Sequence, residues 1–139
     1  TSGHVWTLET VLDEFPQLRE RLSHGGSDLS GGEQQMLAIA RALIRNPQLV
    51  LMDEPSEGLS PLYVRHVAQI LSRLRDLGLA VLLVEQNLPM ALSVADQVLI
   101  ISSGRLVFAG TPEELQARPD VLDAHLGVSA SPPVQKVMS

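Results

Sequence analysis

Two short runs in this chain carry residue types that could act on a phosphate ester. In the first, Leu29-Ser30-Gly31-Gly32-Glu33-Gln34-Gln35, a hydroxyl and two adjacent glycines lead into a helical stretch. In the second, Leu49-Val50-Leu51-Met52-Asp53-Glu54, an apolar run ends in two carboxylates. A helix N-terminus carries unpaired N–H groups and a partial positive charge, so a phosphate oxygen is its natural guest. Adjacent glycines weaken a helix, and close approach of a ligand to bare backbone is the best explanation for them. A carboxylate at the end of a buried strand can hold Mg2+ through its water shell, and a neighbouring carboxylate can polarise a water for in-line attack on a γ-phosphate. Each run also has a purely structural reading. Ser30 with Glu33 three residues on is a capping-box pattern, and Asp53-Glu54 could be a strand ending in solvent. The two runs stand one helix length apart, and together they point to phosphoryl chemistry.

The surrounding pattern supplies elements to position them. Over residues 6–22 the apolar positions Leu8, Val11, Leu12, Phe15, Leu18 and Leu22 recur at helical steps, with Pro16 expected to split the helix in two. His24-Gly25-Gly26-Ser27-Asp28 reads as a loop, and Met36, Leu37, Ala40, Leu43 and Ile44 give the next helix an apolar face that ends at Asn46-Pro47. Residues 49–52 read as a strand buried on both faces. Pro61 opens a third helix that Gly78 stops, and residues 79–84 form a second buried strand, completing a βαβ unit with parallel strands. A short helix over residues 89–95 follows. A hairpin turns at Ser102-Ser103-Gly104-Arg105, and Thr111-Pro112-Glu113-Glu114 begins a last helix. The tail over residues 128–139, with Pro132-Pro133 and several serines, has little to bury and is expected to be disordered.

The 139-residue chain is hydrophobic at 45% of its positions but aromatic at only 3%, so its core is aliphatic. That length suits one domain or a large piece of one. A net charge of −6 argues against a nucleic-acid partner, which would demand a basic face. With no cysteine, neither a disulfide framework nor a thiolate metal site is available. No apolar run reaches the roughly 18–20 residues a spanning helix needs, so any membrane association would pass through a partner. His4, His24, His66 and His125 have no metal-ligand spacing. Trp6 reads equally as a core anchor or an exposed remnant, and Arg73, Arg75 and Asp76 read as a solvated helix face.

These motifs resemble those of ABC ATPases. Residues 29–35 are similar to the signature motif, residues 49–54 to the Walker B strand with its catalytic glutamate, and Glu57-Gly58-Leu59-Ser60 to the D-loop. Finer detail, including Glu33-Gln34-Gln35-Met36-Leu37-Ala38-Ile39-Ala40-Arg41-Ala42-Leu43 and Leu83-Val84-Glu85-Gln86-Asn87, resembles one of the two ATPase subunits of branched-chain amino-acid importers. Subunits serving urea or short amides look nearly the same. The resemblance implies an α/β fold: the C-terminal half of an ABC nucleotide-binding domain of P-loop NTPase type, with parallel strands, flanking helices and a C-terminal hairpin. It divides the chain into the end of a helical subdomain over residues 1–28 and the second half of the catalytic core over residues 29–127.

The resemblance also implies roles. Ser30, Gly31 and Gly32 would meet the γ-phosphate of an ATP held mainly by a second ATPase subunit, with Gln34 nearby in the same nucleotide-binding motif. Asp53 would hold Mg2+ through water, Glu54 would be the general base, Gln86 the switch residue, and Gly58, Leu59 and Ser60 the D-loop. The implied partners are that second subunit in a homo- or heterodimer, transmembrane permease subunits and, indirectly, a periplasmic binding protein. The implied place is the cytoplasmic face of the bacterial plasma membrane. Two departures stand out. The switch position holds glutamine where the superfamily usually has histidine, although the branched-chain group often carries Glu-Gln-Asn here. No Gly-x-x-x-x-Gly-Lys-Ser/Thr run occurs, and the only lysine is Lys136. The chain is therefore expected to begin inside the helical subdomain and to be inactive in isolation. A non-catalytic binding or regulatory half-domain is the alternative. A soluble ABC ATPase of DNA repair or translation fits the acidic balance poorly.

Overall fold

The computed structural model describes residues 3–127, so the tail expected to be disordered lies outside the described residues. The chain divides into two compact units, the first running to Val94 and the second beginning at Ala95.

The first unit opens with two short helices. Thr7 caps α1 (Leu8–Glu14): its hydroxyl accepts from the Thr10 N–H at 3.2 Å, and the Thr10 hydroxyl accepts from the Thr7 N–H at 2.8 Å. Pro16, which lacks an N–H to continue the ladder, starts α2 (Pro16–Glu20), giving the expected split. After a 3-10 turn at Gly26–Asp28, α3 (Gly31–Leu43) follows. Asn46 ends that segment in the left-handed region, at φ 53°. The Asn46 side chain does a second job, accepting from the Trp6 N–H at 2.6 Å and donating to the Trp6 carbonyl at 2.9 Å. Trp6 is thereby a core anchor, 4% exposed.

β1 (Leu49–Asp53), α4 (Pro61–Asp76) and β2 (Ala80–Val84) form the βαβ unit, with the strands parallel and in register from Leu49 opposite Ala80 to Asp53 opposite Val84. Gly78, at φ 87°, makes the left-handed turn that releases the chain from α4. α5 (Leu88–Val94) closes the unit. Phe15, Met36, Leu43, Val67 and Leu74 are the most deeply buried side chains of its core.

Burial of both strand faces is not what this chain achieves. Val50 and Met52 join the core with Val81 and Leu83 against them, while Leu49 (52%), Leu51 (67%), Leu82 (54%) and Val84 (56%) are exposed. The sequence is apolar at every strand position, but only one face of this two-stranded sheet is covered. The expected helix face of Arg73, Arg75 and Asp76 is solvent-exposed, and its arginines also make contacts beyond their own helix. Arg73 pairs with Glu14 of α1 at 3.1 Å and Arg75 donates to the Val94 carbonyl at 2.9 Å, so these arginines reach neighbouring elements.

In the second unit β3 (Val98–Ser102) and β4 (Arg105–Gly110) pair antiparallel across Ser103 and Gly104, both at positive φ as a tight hairpin demands. The register shifts between Ile100 and Ile101, leaving Val107 as the extra residue of a bulge. The expected last helix is two helices. α6 (Pro112–Gln116) has the full capping box between Thr111 and Glu114, and α7 (Pro119–Leu126) restarts at Pro119, which cannot continue the preceding ladder.

Candidate functional site

The carboxyl ends of β1 and β2 lie side by side, as parallel pairing requires, and such edges are where open α/β sheets bind ligands. Asp53 is the last residue of β1 and is exposed. Glu54 continues the ladder by one bond, its N–H donating to the Val84 carbonyl at 2.7 Å, and then turns into the left-handed region at φ 47°. For a residue with a Cβ that conformation costs about 1–3 kcal/mol and is concentrated at functional sites. Loss of solvation pushes the Glu54 carboxyl above the usual range, and a hydrogen bond with Glu57 and the charges of Glu57, Asp53 and Glu85 push the same way. A carboxyl so placed is better suited to take up a proton than an ordinary surface glutamate.

The chain then passes through buried Ser56 and through Gly58, which takes φ 71°. Leu59 is half-buried against the core, and the Ser60 hydroxyl caps α4 by accepting from the Tyr63 N–H at 3.5 Å. On the neighbouring strand, Glu85 follows Val84, and the Gln86 side chain beyond it is exposed. The Glu85 carboxylate accepts from the N–H groups of Ser56, Gln86 and Asn87 at 3.3, 3.0 and 3.0 Å.

At the start of α3, the Ser30 hydroxyl accepts from the Glu33 N–H at 3.2 Å. The reciprocal half of the capping box is not formed, because the Glu33 carboxylate pairs with Arg21 at 3.2 Å. Gln34 folds back to donate to the Leu29 carbonyl at 3.1 Å. The two glycines are not equivalent. Space around Gly31 is open, while a Cβ on Gly32 would fall inside the Tyr63 ring. Packing within the chain thus accounts for the lack of a side chain at Gly32, while the space around Gly31 is open.

Among the described residues no three His, Asp or Glu side chains converge to hold a metal. Asp53 offers a single carboxylate at a solvent-exposed edge, which suits Mg2+, an ion that keeps several waters and commonly takes one or two carboxylates plus phosphate oxygens. The exposed N-terminus of α3 at Gly31 likewise suits a phosphate group.

Comparison with known proteins points to one family. Residues 4–57 match the ABC transporter family. The high-affinity branched-chain amino acid transport ATP-binding protein BraG of Pseudomonas aeruginosa is 46% identical over 120 residues, covering 86% of this chain and 52% of that protein. The lipopolysaccharide export system ATP-binding protein LptB of Escherichia coli K12 is 41% identical over 119 residues, covering 84% and 48%. The chain belongs to the ABC transporter ATP-binding family. Its fold is also that of an ATP-binding cassette: the ADP conformation of the cassette MJ1267 superposes with a TM-score of 0.74 at 24% identity, covering 86% of this chain and 48% of that one. The chain spans about half the length of the curated relatives it matches.

Within this ABC family chain, three contacts escaped sequence reasoning. The Tyr63 ring over Gly32 depends on how α3 and α4 cross, which no local pattern encodes. Glu33 had a helix-start reading that Arg21 pre-empts. Glu85 gave one available signal, a carboxylate directly after a fully apolar strand and before a candidate switch residue.

Proposed function

We propose that this chain is the C-terminal half of the ATP-hydrolysing subunit of an ABC importer for branched-chain amino acids, coupling Mg-ATP hydrolysis to transport. The observation that carries the reading is Glu54: a carboxyl held above its ordinary range, in a strained left-handed conformation, one residue past an exposed strand-end aspartate. Mg-ATP supplies the scissile phosphoryl bond, and the chain's residues supply the rest. Asp53 is the residue that would hold Mg2+, which would offset the charge of the phosphates. The Glu54 carboxylate orients the attacking water and accepts its proton. The exposed Gln86 amide, which can donate a hydrogen bond but cannot titrate near neutrality, senses the γ-phosphate.

The N-terminus of α3 serves a nucleotide held mainly by a second ATPase subunit. Gly31 offers its open backbone, Ser30 and Gln34 flank it, and Gly32 is held under Tyr63 so that the helix start keeps its shape. Gly58, Leu59 and Ser60 form the D-loop that reaches toward the same partner. No helix of the described residues is long and apolar enough to cross a membrane, and in this reading transmembrane permease subunits anchor the assembly at the cytoplasmic face of the plasma membrane. A periplasmic binding protein delivers substrate to them, and nucleic acid has no part.

The identity to BraG supports branched-chain amino acids as cargo, and the identity to LptB favours lipopolysaccharide export as the second reading. Reconstituting the full-length subunit with its permease partners in proteoliposomes tests both. ATP-dependent uptake of leucine supports the first. Hydrolysis without uptake of any branched-chain amino acid refutes the cargo while leaving the ATPase in place.

A further inference from the structure

Glu85 stands where the backbone pairing of β1 and β2 runs out. The ladder ends with the Glu54 N–H on the Val84 carbonyl, and the next residue on that side, Glu85, reaches back across the gap with its side chain. Its Oε2 accepts from the Ser56 N–H at 3.3 Å, and Ser56 lies two residues past Glu54 on the loop after β1. Its Oε1 accepts from the N–H groups of Gln86 and Asn87, both at 3.0 Å, on the loop after β2. Asn87 in turn accepts from the Met90 N–H at 3.1 Å, which fixes the start of α5. One half-buried carboxylate therefore joins the loop that carries Glu54 to the loop that carries Gln86, and anchors the second loop to a helix.

Asp53, Glu54 and Glu57 crowd this edge with negative charge, and a fourth carboxylate would ordinarily turn away into solvent. Hydrogen bonds from three N–H groups offset that repulsion, because bonds to an ionised acceptor are about twice as strong as neutral ones. Glutamate is suited to the task where glutamine is not. A carboxylate has two acceptor oxygens, one for each loop, whereas an amide has one oxygen and an NH2 that would face an N–H.

We propose that Glu85 is a positioning residue, which ties the two loops together and so sets the Gln86 amide in register with the Glu54 carboxylate. The inference rests on the reading of the chain as an ABC ATPase and adds to it a residue that acts through Gln86 without touching the nucleotide.

The test is a double-mutant cycle in the full-length subunit with its partners, measuring kcat and KM for ATP in the unmutated protein, Glu85→Gln, Glu85→Ala, Gln86→Ala and the two double variants. Expected for Glu85→Gln is a kcat lower by roughly tenfold, the cost of one charge-assisted hydrogen bond, with KM changed by less than about twofold. In the Gln86→Ala background the same substitution should change kcat by less than about twofold, since the group it positions is gone. Glu85→Gln is isosteric, so it carries the test if Glu85→Ala does not fold. Independent, multiplicative losses overturn the proposal while leaving the ATPase reading intact, as does an unchanged kcat in Glu85→Gln. Absence of ATP hydrolysis by the unmutated protein overturns both.

Discussion

The ring of Tyr63 occupies the space into which any side chain on Gly32 would project. Gly32 lies at the start of α3 and Tyr63 in the first turn of α4, so this contact fixes how the two helix starts approach one another. Gly32→Ala should destabilise the folded protein by about 1–3 kcal/mol, the usual cost of forcing extra volume into a packed site. In a Tyr63→Ala background the same substitution should cost little, because the ring it collides with is absent. Thermal melts of the four proteins decide the matter, and an equal cost in both backgrounds would mean that Gly32 answers to something other than Tyr63.

Glu54→Gln, in the full-length subunit, should leave ATP binding in place and cut turnover by roughly 10²-fold or more, the lower range of what a positioned proton acceptor contributes. Turnover within a few-fold of the unmutated enzyme would remove Glu54 from the role of base.

The same residue gives a pH signature without nucleotide or metal. An acid whose folded-state pKa is raised contributes stability that is complete below its unfolded pKa and is lost as pH rises through the folded value. The Glu54 carboxyl is raised, by lost solvation first and by Glu57 second. Glu54→Gln, which carries no charge at any pH, should therefore be more stable than the unmutated protein at about pH 8, with the gain vanishing below about pH 4, where an ordinary glutamate is largely protonated. Melting curves in the presence of a chelator measure the difference, and a gain of equal size at both pH values would detach it from ionisation.

The chain on its own should neither hydrolyse ATP nor bind it at micromolar concentration. It contains no Gly-x-x-x-x-Gly-Lys-Ser/Thr loop to hold the β- and γ-phosphates, and a helix N-terminus supplies only about 0.3–1 kcal/mol at an exposed site. Leu49, Leu51, Leu82 and Val84 form an uncovered apolar face on a sheet with open edges, so the isolated chain should self-associate. Calorimetry with Mg-ATP and light scattering check both statements. Replacing Leu51 and Leu82 by lysine should reduce the scattering if that face is the cause.

Much of this architecture is legible in the sequence because it follows from periodicity and punctuation. The helical stripe of Val64, Val67, Ile70, Leu71 and Leu74, bounded by Pro61 and Gly78, became α4, and the apolar runs on either side became parallel strands. Thr111-Pro112-Glu113-Glu114 delivered its capping box. What the sequence withholds is the direction of long side chains. Arg73 and Arg75 have the composition of a solvated face, yet one reaches Glu14 and the other the Val94 carbonyl. The positive φ of Glu54 is equally silent, since nothing in an Asp-Glu pair announces a left-handed turn. For the candidate site, residue types and spacing pointed to Asp53 and Glu54 and the family resemblance to Gln86, whereas the tie through Glu85 emerges only when two strand ends separated by all of α4 are brought together.

That separation bears on how the chain reaches its fold. β3 and β4 are joined by two residues already suited to a tight turn, so they can zip from the turn outward on the scale of about 1–10 μs. β1 and β2 run in the same direction and have no such starting point; Leu49 can meet Ala80 only after α4 has formed and folded back to close a long loop. Until then both apolar strands remain unpaired, and aggregation competes with folding for them. In a refolding experiment, amide protection should therefore appear in Ser102 and Arg105 before it appears in Met52 and Leu82. Helix-breaking substitutions on the exposed face of α4, such as Gln69→Gly, should slow the second step and leave the first untouched.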